Sequence, residues 1–201
     1  MLEALAGQRF GTIVADPPWT VGRGPDWGSN GPSRKLTYPT MDLDDIRSMP
    51  VEDHALDVCH LYIWTINKYI EETYEIARRW GFRPSTMLVW AKRPRGIGLG
   101  GTFTLTSEFC LYARRGTYKP KRRIDSTWWT WTRGRHSEKP EEFQDMIETV
   151  SPGPYLELFA RRPRPGWTVW GNEVETETQN GGQGVESTRT NPGSIGSSIQ
   201  A

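Results

Sequence analysis

Asp16, Pro17, Pro18 and Trp19 form the motif with the clearest chemical potential in this sequence. They follow an apolar, β-branched run, which places the Asp16 carboxylate at the end of a predicted buried strand. The two prolines lack N–H donors, which leaves the Asp16 oxygens and the Pro17 carbonyl as acceptors. Acceptors suit an amino group, and the Trp19 ring offers a π-face to a flat base. From residue types alone, a clamp for an aromatic amine and a rigid turn with Trp19 in the core are equally open.

The elements that must position this motif alternate between strands and helices. The sequence predicts strands at residues 9–16, 55–64, 83–91, 109–113, 155–160 and 167–170. It predicts helices at residues 43–49, 66–80 and 140–150. Asp42 and Ser137 are the predicted N-caps, and Gly81 ends the second helix. This alternation predicts an α/β fold in three layers around a mostly parallel sheet, with ligands at the carboxyl ends of the strands.

The ends and loops of the chain have a different composition. Residues 20–40 are rich in Gly, Pro and Ser and predict a long loop of the kind that is often functional. Residues 175–201 are rich in Gly, Ser, Asn and Thr and predict a disordered tail after one folded domain over residues 1–174.

Charge and cysteine content narrow the class of protein. The net charge is +1, but without residues 173–201 the chain keeps 24 basic and 20 acidic residues, so the body carries about +4. Cys59 and Cys110 have no metal-ligand spacing and are interpreted as core thiols, so no metal site is expected. No signal peptide or membrane-spanning run is seen, and we expect a cytoplasmic protein.

The densest basic run covers residues 114–123 and includes Arg114 and Arg122. Two interpretations stay open: a solvated hairpin, or contacts with nucleic-acid phosphates that add affinity without sequence information. The aromatic stretch at residues 127–131 is open in the same way, between core and a stacking surface. The pattern from Gly96 to Gly101 fits GxGxxG, but a β-branched run follows it, and we interpret it as a substrate-side loop rather than a dinucleotide site. His136 is interpreted as orienting or structural.

The motif resembles the signature of the DPPW-type adenine N6-methyltransferases, the family of the catalytic subunit of the messenger-RNA adenosine methyltransferase and its bacterial and phage relatives. Further segments resemble the family in the same order over about residues 10–174: Tyr38-Pro39-Thr40-Met41, Leu43-Asp44-Asp45-Ile46, Ile63-Trp64-Thr65 with Asn67, Trp80-Gly81-Phe82, Trp90-Ala91-Lys92, Glu108, His136-Ser137-Glu138-Lys139-Pro140, Glu157-Leu158-Phe159-Ala160-Arg161, Gly166-Trp167 and Trp170-Gly171-Asn172-Glu173.

The resemblance implies a Rossmann-like methyltransferase fold over residues 1–174, with the catalytic motif before the cofactor motif and S-adenosylmethionine as methyl donor. It implies that Asp16 and Pro17 hold the adenine amine within the motif completed by Pro18, and that Trp19 stacks nearby. Tyr38 and Lys139 become substrate-side residues, together with the basic Arg114 and Arg122. The cofactor-side residues that it implies are Glu157, Leu158, Phe159, Arg161, Asn172 and Glu173. Since only about nine residues precede the first strand, we expect that part of the pocket for the cofactor adenine to be either built differently here or missing.

The expected activity is methyl transfer to the N6 amine of adenine in DNA. RNA is the alternative polymer, and the lack of a zinc-finger or RNA-binding module in this sequence favours DNA. Cytosine N4 methylation uses similar amine chemistry, but the Trp of the motif argues against it. A non-catalytic nucleic-acid-binding subunit of the same fold is the alternative from another class, and the retained Asp16 argues against it.

Overall fold

A computed structural model describes residues 2–20, 39–92, 102–120, 122–132 and 139–171. Its seven strands are β1 (Phe10–Ala15), β2 (Ala55–Thr65), β3 (Arg83–Ala91), β4 (Ser107–Arg115), β5 (Trp128–Trp129), β6 (Tyr155–Leu158) and β7 (Trp167–Trp170). Its α-helices are α1 (Leu43–Ser48), α2 (Ile70–Arg79) and α3 (Glu141–Val150). The strands form one sheet in the order β5-β3-β4-β2-β1-β6-β7.

The sheet is mixed but mainly parallel. Strand β1 pairs in parallel with β2 and β6, β6 with β7, and β3 with β5, whereas β4 runs antiparallel to both β2 and β3. This confirms the predicted α/β fold with a mostly parallel sheet. It also means that β1, β2, β3 and β6 end, and β4 begins, at one edge, which we call the carboxyl edge.

Successive side chains of β2 point to opposite faces of the sheet and contribute to a hydrophobic core on each face. Leu61 and Ile63 belong to the larger cluster, which also contains Ile76 and Ala77 of α2. Tyr62 and Trp64 belong to the second cluster, which contains Phe143 and Ile147 of α3. The sheet therefore lies between a layer with α2 and a layer with α3.

The second helix begins later than predicted and ends as predicted. A short 3-10 helix, Asn67–Tyr69, replaces the first turn, and α2 begins at Ile70. Gly81 has a φ of +81°, and the N–H groups of Gly81 and Phe82 donate to the carbonyls of Arg78 and Ala77 at 3.0 and 2.9 Å. This hydrogen-bond pattern satisfies carbonyls of the last turn and needs a left-handed residue, which glycine adopts at little cost.

Several predicted boundaries were wrong. The strand predicted at 109–113 runs over Ser107–Arg115, and β5 was not predicted. The strand predicted at 155–160 ends at Leu158, because Phe159 has a φ of 63° and cannot continue a strand. Asp42 occupies the N-cap position of α1, but its side chain makes no capping hydrogen bond. Ser137, the GxGxxG pattern, His136 and the predicted tail lie outside the described residues.

Both cysteines are buried free thiols, as predicted. Burial raises the pKa of the Cys59 thiol to about 12 and that of Cys110 well above its usual value, so both are protonated at neutral pH. Across the described ranges, no cluster of three or more His, Cys, Asp or Glu side chains is arranged to hold a metal ion. No helix in those ranges has the length and apolar character that a membrane crossing needs.

Candidate active site

Asp16 lies directly after β1 at the carboxyl edge, between the ends of β2 and β6. Its backbone N–H donates to the Leu158 carbonyl at 3.4 Å, which continues the pairing of β1 with β6. Lys139, just before α3, donates from Nζ to Asp16 Oδ2 at 2.6 Å. The Asp16 side chain is 18% exposed and the Lys139 side chain is 19% exposed. This pair leaves Asp16 Oδ1 available as an acceptor.

Lys139 connects Asp16 to a second ion pair. Its Nζ lies 3.5 Å from Glu108 Oε2, and Glu108 Oε1 accepts from Lys92. The ammonium of Lys139 also lies 5.2 Å from the centroid of the Trp64 ring. Opposite charges therefore alternate across the site, and an aromatic ring on β2 supports the central lysine.

The Trp19 side chain packs into the core and holds the Asp16-to-Trp19 turn in place. Trp19 is 6% exposed, its ring stacks on Tyr69 with centroids 5.2 Å apart, and its Nε1 donates to the Trp64 carbonyl at 3.0 Å. Tyr69 covers one face of the Trp19 ring, so a substrate base could stack only on the opposite face. That stacking stays a prediction. The buried ring fixes the turn beside Asp16.

The carbonyls of the two prolines already accept one hydrogen bond each. Pro17 accepts from the Trp19 N–H at 2.8 Å, and Pro18 accepts from the Met41 N–H at 3.0 Å. A carbonyl has two lone pairs, so Pro17 keeps capacity for one further donor. The turn is thus rigid and still rich in acceptors.

A cleft on the α3 side of Asp16, which we call the inner cleft, is lined by three of the residues predicted to lie on the cofactor side. Glu157 of β6 accepts from Gln144 Nε2 at 2.7 Å through Oε2. Burial, together with the negative charge of Asp16, raises the pKa of the Glu157 carboxyl to about 7. Phe159, with its left-handed backbone, and Arg161 also line this cleft, with apolar contributions from Val14 and Phe143.

A second cleft, the outer cleft, opens over the motif itself. Its lining includes Pro17, Pro18, Trp19 and Glu108. Asp16, Trp64, Lys139 and Arg161 line both clefts. The geometry therefore allows two ligands to meet at Asp16 from opposite sides.

The structure gathers most, but not all, of the predicted site residues. The residues that line one or both clefts are Asp16, Pro17, Pro18, Trp19, Lys139, Glu157, Phe159 and Arg161. The Leu158 side chain is fully buried in the core instead, because β6 alternates and directs Glu157 and Leu158 to opposite faces. Tyr38, Asn172 and Glu173 lie outside the described residues.

Arg114 and Arg122 do not lie at this site. Arg114 is opposite His60 on β2, whereas Trp64, at the level of the site, is opposite Cys110. Glu108 and Arg114 are six residues apart on one strand, roughly 20 Å at the usual rise. Both arginines line a separate cavity, described below. Contacts of these arginines with substrate phosphates stay a prediction.

Several residues that contribute to the site were not assigned a role from the sequence, among them Trp64, Lys92, Glu108 and Gln144. Glu108 reaches Lys139 only because β4 begins where β1 ends, and a sequence does not reveal that antiparallel placement. The position of Gln144 could have been inferred from the helix, because it lies one residue after the buried Phe143 on α3. Its side chain faces β6, where it donates to Glu157.

The fold and the two clefts define the class as Rossmann-like α/β domains of the methyltransferase type, with the acidic turn before the cofactor-side strand in the sequence. Residues 10–173 match the MT-A70 family. The chain therefore belongs to the MT-A70 family.

Among its relatives, the chain is 30% identical over 178 residues to a putative N(6)-adenosine-methyltransferase MT-A70-like protein of Medicago truncatula, covering 83% of this chain and 26% of that protein. It is 29% identical over 199 residues to the type II methyltransferase M.MunI of Mycoplasma sp, covering 87% and 84%. It is 27% identical to the human N(6)-adenosine-methyltransferase catalytic subunit METTL3, covering 83% and 28%. The chain thus spans about a quarter of the plant and human proteins and most of the Mycoplasma one.

Proposed function

We propose that this chain transfers a methyl group from S-adenosylmethionine to the N6 amine of adenine in DNA. The observation that carries the proposal is the Asp16 carboxylate, which stands where the two clefts meet and keeps one oxygen free of the Lys139 ion pair. Membership of the MT-A70 family supports the reaction class, since its relatives include proteins named as N(6)-adenosine-methyltransferases.

In this proposal the target amine enters through the outer cleft. Asp16 Oδ1 and the Pro17 carbonyl accept its two N–H groups, which orients the nitrogen lone pair and increases its electron density. Lys139 holds Asp16 through the other oxygen, so the acceptor is oriented before the substrate binds. Holding the amine in line with the methyl group supplies most of the rate, because orientation alone can contribute several kcal/mol.

The inner cleft fits the methyl donor in its chemistry. S-adenosylmethionine supplies an activated methyl group when it is bound, and it carries a cationic sulfur, a carboxylate and a flat base. Asp16 offers negative charge, Glu157 offers a hydrogen-bonding carboxyl, Arg161 and Arg162 offer positive charge, and Phe143 and Phe159 offer aromatic surface. We propose that these residues hold the donor.

As the bond between the amine nitrogen and the methyl carbon forms, the carbon–sulfur bond of the donor breaks with its electron pair left on sulfur, and the amine gives up one proton. Asp16 is the acceptor that we propose for that proton, which then passes to solvent. No covalent bond to the protein is needed. The buried Trp64 and Phe143 rings, 4.5 Å apart, close the floor of the site against water.

The proposal of DNA as the polymer is supported by the alignment over 84% of a type II methyltransferase. RNA is the alternative, supported by the similarity to METTL3. An adenine within a duplex has to be flipped out to reach Asp16, whereas an unpaired adenine enters directly.

Asp16→Asn tests the reaction centre. The variant keeps the size of the side chain but loses the charge that Lys139 holds, and we expect methyl transfer to DNA to fall by about 10²–10³-fold. Transfer of labelled methyl groups measures it, and Asp57→Asn, an exposed aspartate on β2, is the matched control.

Thermal unfolding of both variants separates misfolding from loss of chemistry, since breaking a partly buried ion pair also destabilises the fold. Undiminished transfer in a folded Asp16→Asn variant would contradict the mechanism.

A further inference from the structure

A cavity of about 340 Å³ lies on the α3 face of the sheet. It extends from Arg114, at the end of β4 opposite the carboxyl edge, to Trp129, which pairs with Trp90 near the end of β3. We call it the distal cavity. Its floor is formed by side chains of β2, β3 and β4, and the segment after β4 and residues of α3 form its walls. The volume lies in the range of pockets that hold small organic ligands. None of the residues that carry the proposed methyl transfer lines it.

The charged side chains that line the distal cavity are all basic. Arg114, Arg122 and Arg123 line it, and its described lining includes no aspartate or glutamate. Arg123 lies 3.8 Å from Asp125, whereas Arg114 and Arg122 form no ion pair within the described residues. Two uncompensated guanidinium groups at the mouth of a cavity favour an anion, and phosphate is the anion that the planar guanidinium matches best.

The walls offer flat aromatic surface. The Trp129 ring stacks on Trp131, with centroids 4.8 Å and planes 6° apart, and Trp129 also lines the cavity. Tyr118 lies edge-on to the His60 ring at 5.3 Å and also lines the cavity. Stacking on such rings is a sequence-tolerant way to hold a nucleobase.

The floor is polar and fixed. His60 Nδ1 lies 2.8 Å from Ser151 Oγ, and His60 Nε2 lies 3.1 Å from the Tyr112 hydroxyl. Tyr62 completes the network, with its hydroxyl 2.8 Å from the same Ser151 oxygen. Burial and the nearby Arg114 lower the pKa of His60 to about 4, so the ring is neutral at pH 7 and one of its nitrogens donates while the other accepts. Such a floor holds the shape of the cavity before a ligand enters.

From these features we infer that the distal cavity binds an unpaired nucleotide, with the base against Trp129 and Tyr118 and the phosphate at Arg114 and Arg122. The nucleotide is either free in solution or part of a single strand. In the second case, which rests on the proposed function, it belongs to the substrate and is a neighbour of the target adenine along the strand, with its phosphate at Arg114, roughly 20 Å along β4 from Glu108.

Two variants separate the charge from the stacking. Arg114→Ser/Arg122→Ser removes two proposed phosphate contacts, and Trp129→Leu removes the stacking surface. The charge-matched control is Arg78→Ser/Arg79→Ser, two exposed arginines on α2 on the other face of the sheet. The probe is a fluorescein-labelled single-stranded oligodeoxythymidylate, which contains no adenine, and fluorescence polarisation of the full chain is followed from low to high salt.

We expect the double arginine variant to bind more weakly than the wild type and to lower the salt slope by about 0.7 for each lost phosphate contact. We expect Trp129→Leu to weaken binding by roughly tenfold with the slope unchanged. Competition with deoxythymidine monophosphate identifies the source: displacement of the oligonucleotide indicates a free nucleotide, and retention indicates a strand. Either result supports the site.

The inference is overturned if both variants bind as the α2 control does while circular dichroism shows them folded. Asp16→Asn makes the test independent of the proposed function, because the distal cavity should bind the oligonucleotide equally in that variant. Absence of methyl transfer by the wild type, with oligonucleotide binding that the distal variants weaken, refutes the proposed function alone. Methyl transfer by the wild type, with binding that neither distal variant weakens, refutes the distal site alone.

Discussion

Asp16 combines an ion pair with the chemical role that we propose for it. One oxygen of the carboxylate accepts from Lys139 at 2.6 Å, and the residue lines both clefts. A paired carboxylate costs less to bury than a lone one, so the fold can keep a negative charge that is 18% exposed.

Glu157 gives a prediction about pH. Its pKa is raised to about 7 in the folded chain from 4.5, so the folded state keeps a proton that the unfolded state loses between those values. The stabilising contribution of this group is present below pH 4.5 and is lost as the pH rises through 7. Between pH 5 and pH 8 this carboxyl should lower the free energy of unfolding of the wild type by about 2–3 kcal/mol. We expect the decrease to be absent in Glu157→Gln, because glutamine does not titrate.

Urea unfolding of the wild type and Glu157→Gln at several pH values measures this difference. Glu142→Gln, an exposed glutamate on α3, controls for the loss of a charge. Parallel stability profiles for the wild type and Glu157→Gln would show that the Glu157 carboxyl titrates as it does in the unfolded chain.

Part of the site could be predicted from residue types, because strand ends in an α/β sheet converge. Asp16 and Arg161 follow from the apolar strands before them, whereas Glu157 and Lys139 were implied only by the resemblance to the family; the structure brings all four to the inner cleft. The buried stacking of Trp19 on Tyr69 could not be predicted, since an aromatic beside a carboxylate suits a ligand and a core equally well. Burial, rather than residue type, distinguishes the two.

At the scale of elements, the direction of β4 decides which charges meet. Since β4 runs antiparallel to β2, it places Glu108 at the carboxyl edge and Arg114 at the opposite edge. The alternation of apolar residues predicted this strand, but its direction depends on pairing with β2 and β3, which are distant in sequence. The basic run was therefore assigned to the substrate side, whereas the structure places Arg114 and Arg122 at the distal cavity.

The end of α2 gives a prediction for an element. Gly81 has a φ of +81°, and an added Cβ would lie 2.8 Å from the Glu52 carboxylate, the mobile end of a side chain. The backbone conformation therefore dominates the cost. We expect Gly81→Val to lower the free energy of unfolding by about 2 kcal/mol and Gly81→Asn by about 1 kcal/mol or less, because Asn tolerates left-handed backbone.

Chemical denaturation measures both Gly81 variants, and Ser85→Ala, at an exposed position on β3, is the reference. Equal losses for Asn and Val would indicate that contact with Glu52, rather than the backbone angle, sets the cost.

At the scale of the whole molecule, the sheet separates two functions that we propose. The acceptor-rich turn and its two clefts lie at the ends of β1 and β6, and the basic and aromatic distal cavity lies beside β3 and β4. A single strand that contacts both would be held partly by phosphate contacts at Arg114 and Arg122, away from the proposed reaction centre. A nearly neutral chain with a net charge of +1 can bind nucleic acid in this way, because its positive charge is local.

The most direct test of the central claim is mass spectrometry of nucleosides from DNA and RNA of a host that expresses the wild type or Asp16→Ala. We predict N6-methyladenine in DNA with the wild type and background levels with Asp16→Ala, at equal amounts of folded protein. N6-methyladenosine confined to RNA would contradict the choice of polymer. Equal methylation of adenine by the wild type and Asp16→Ala would contradict the account of the site.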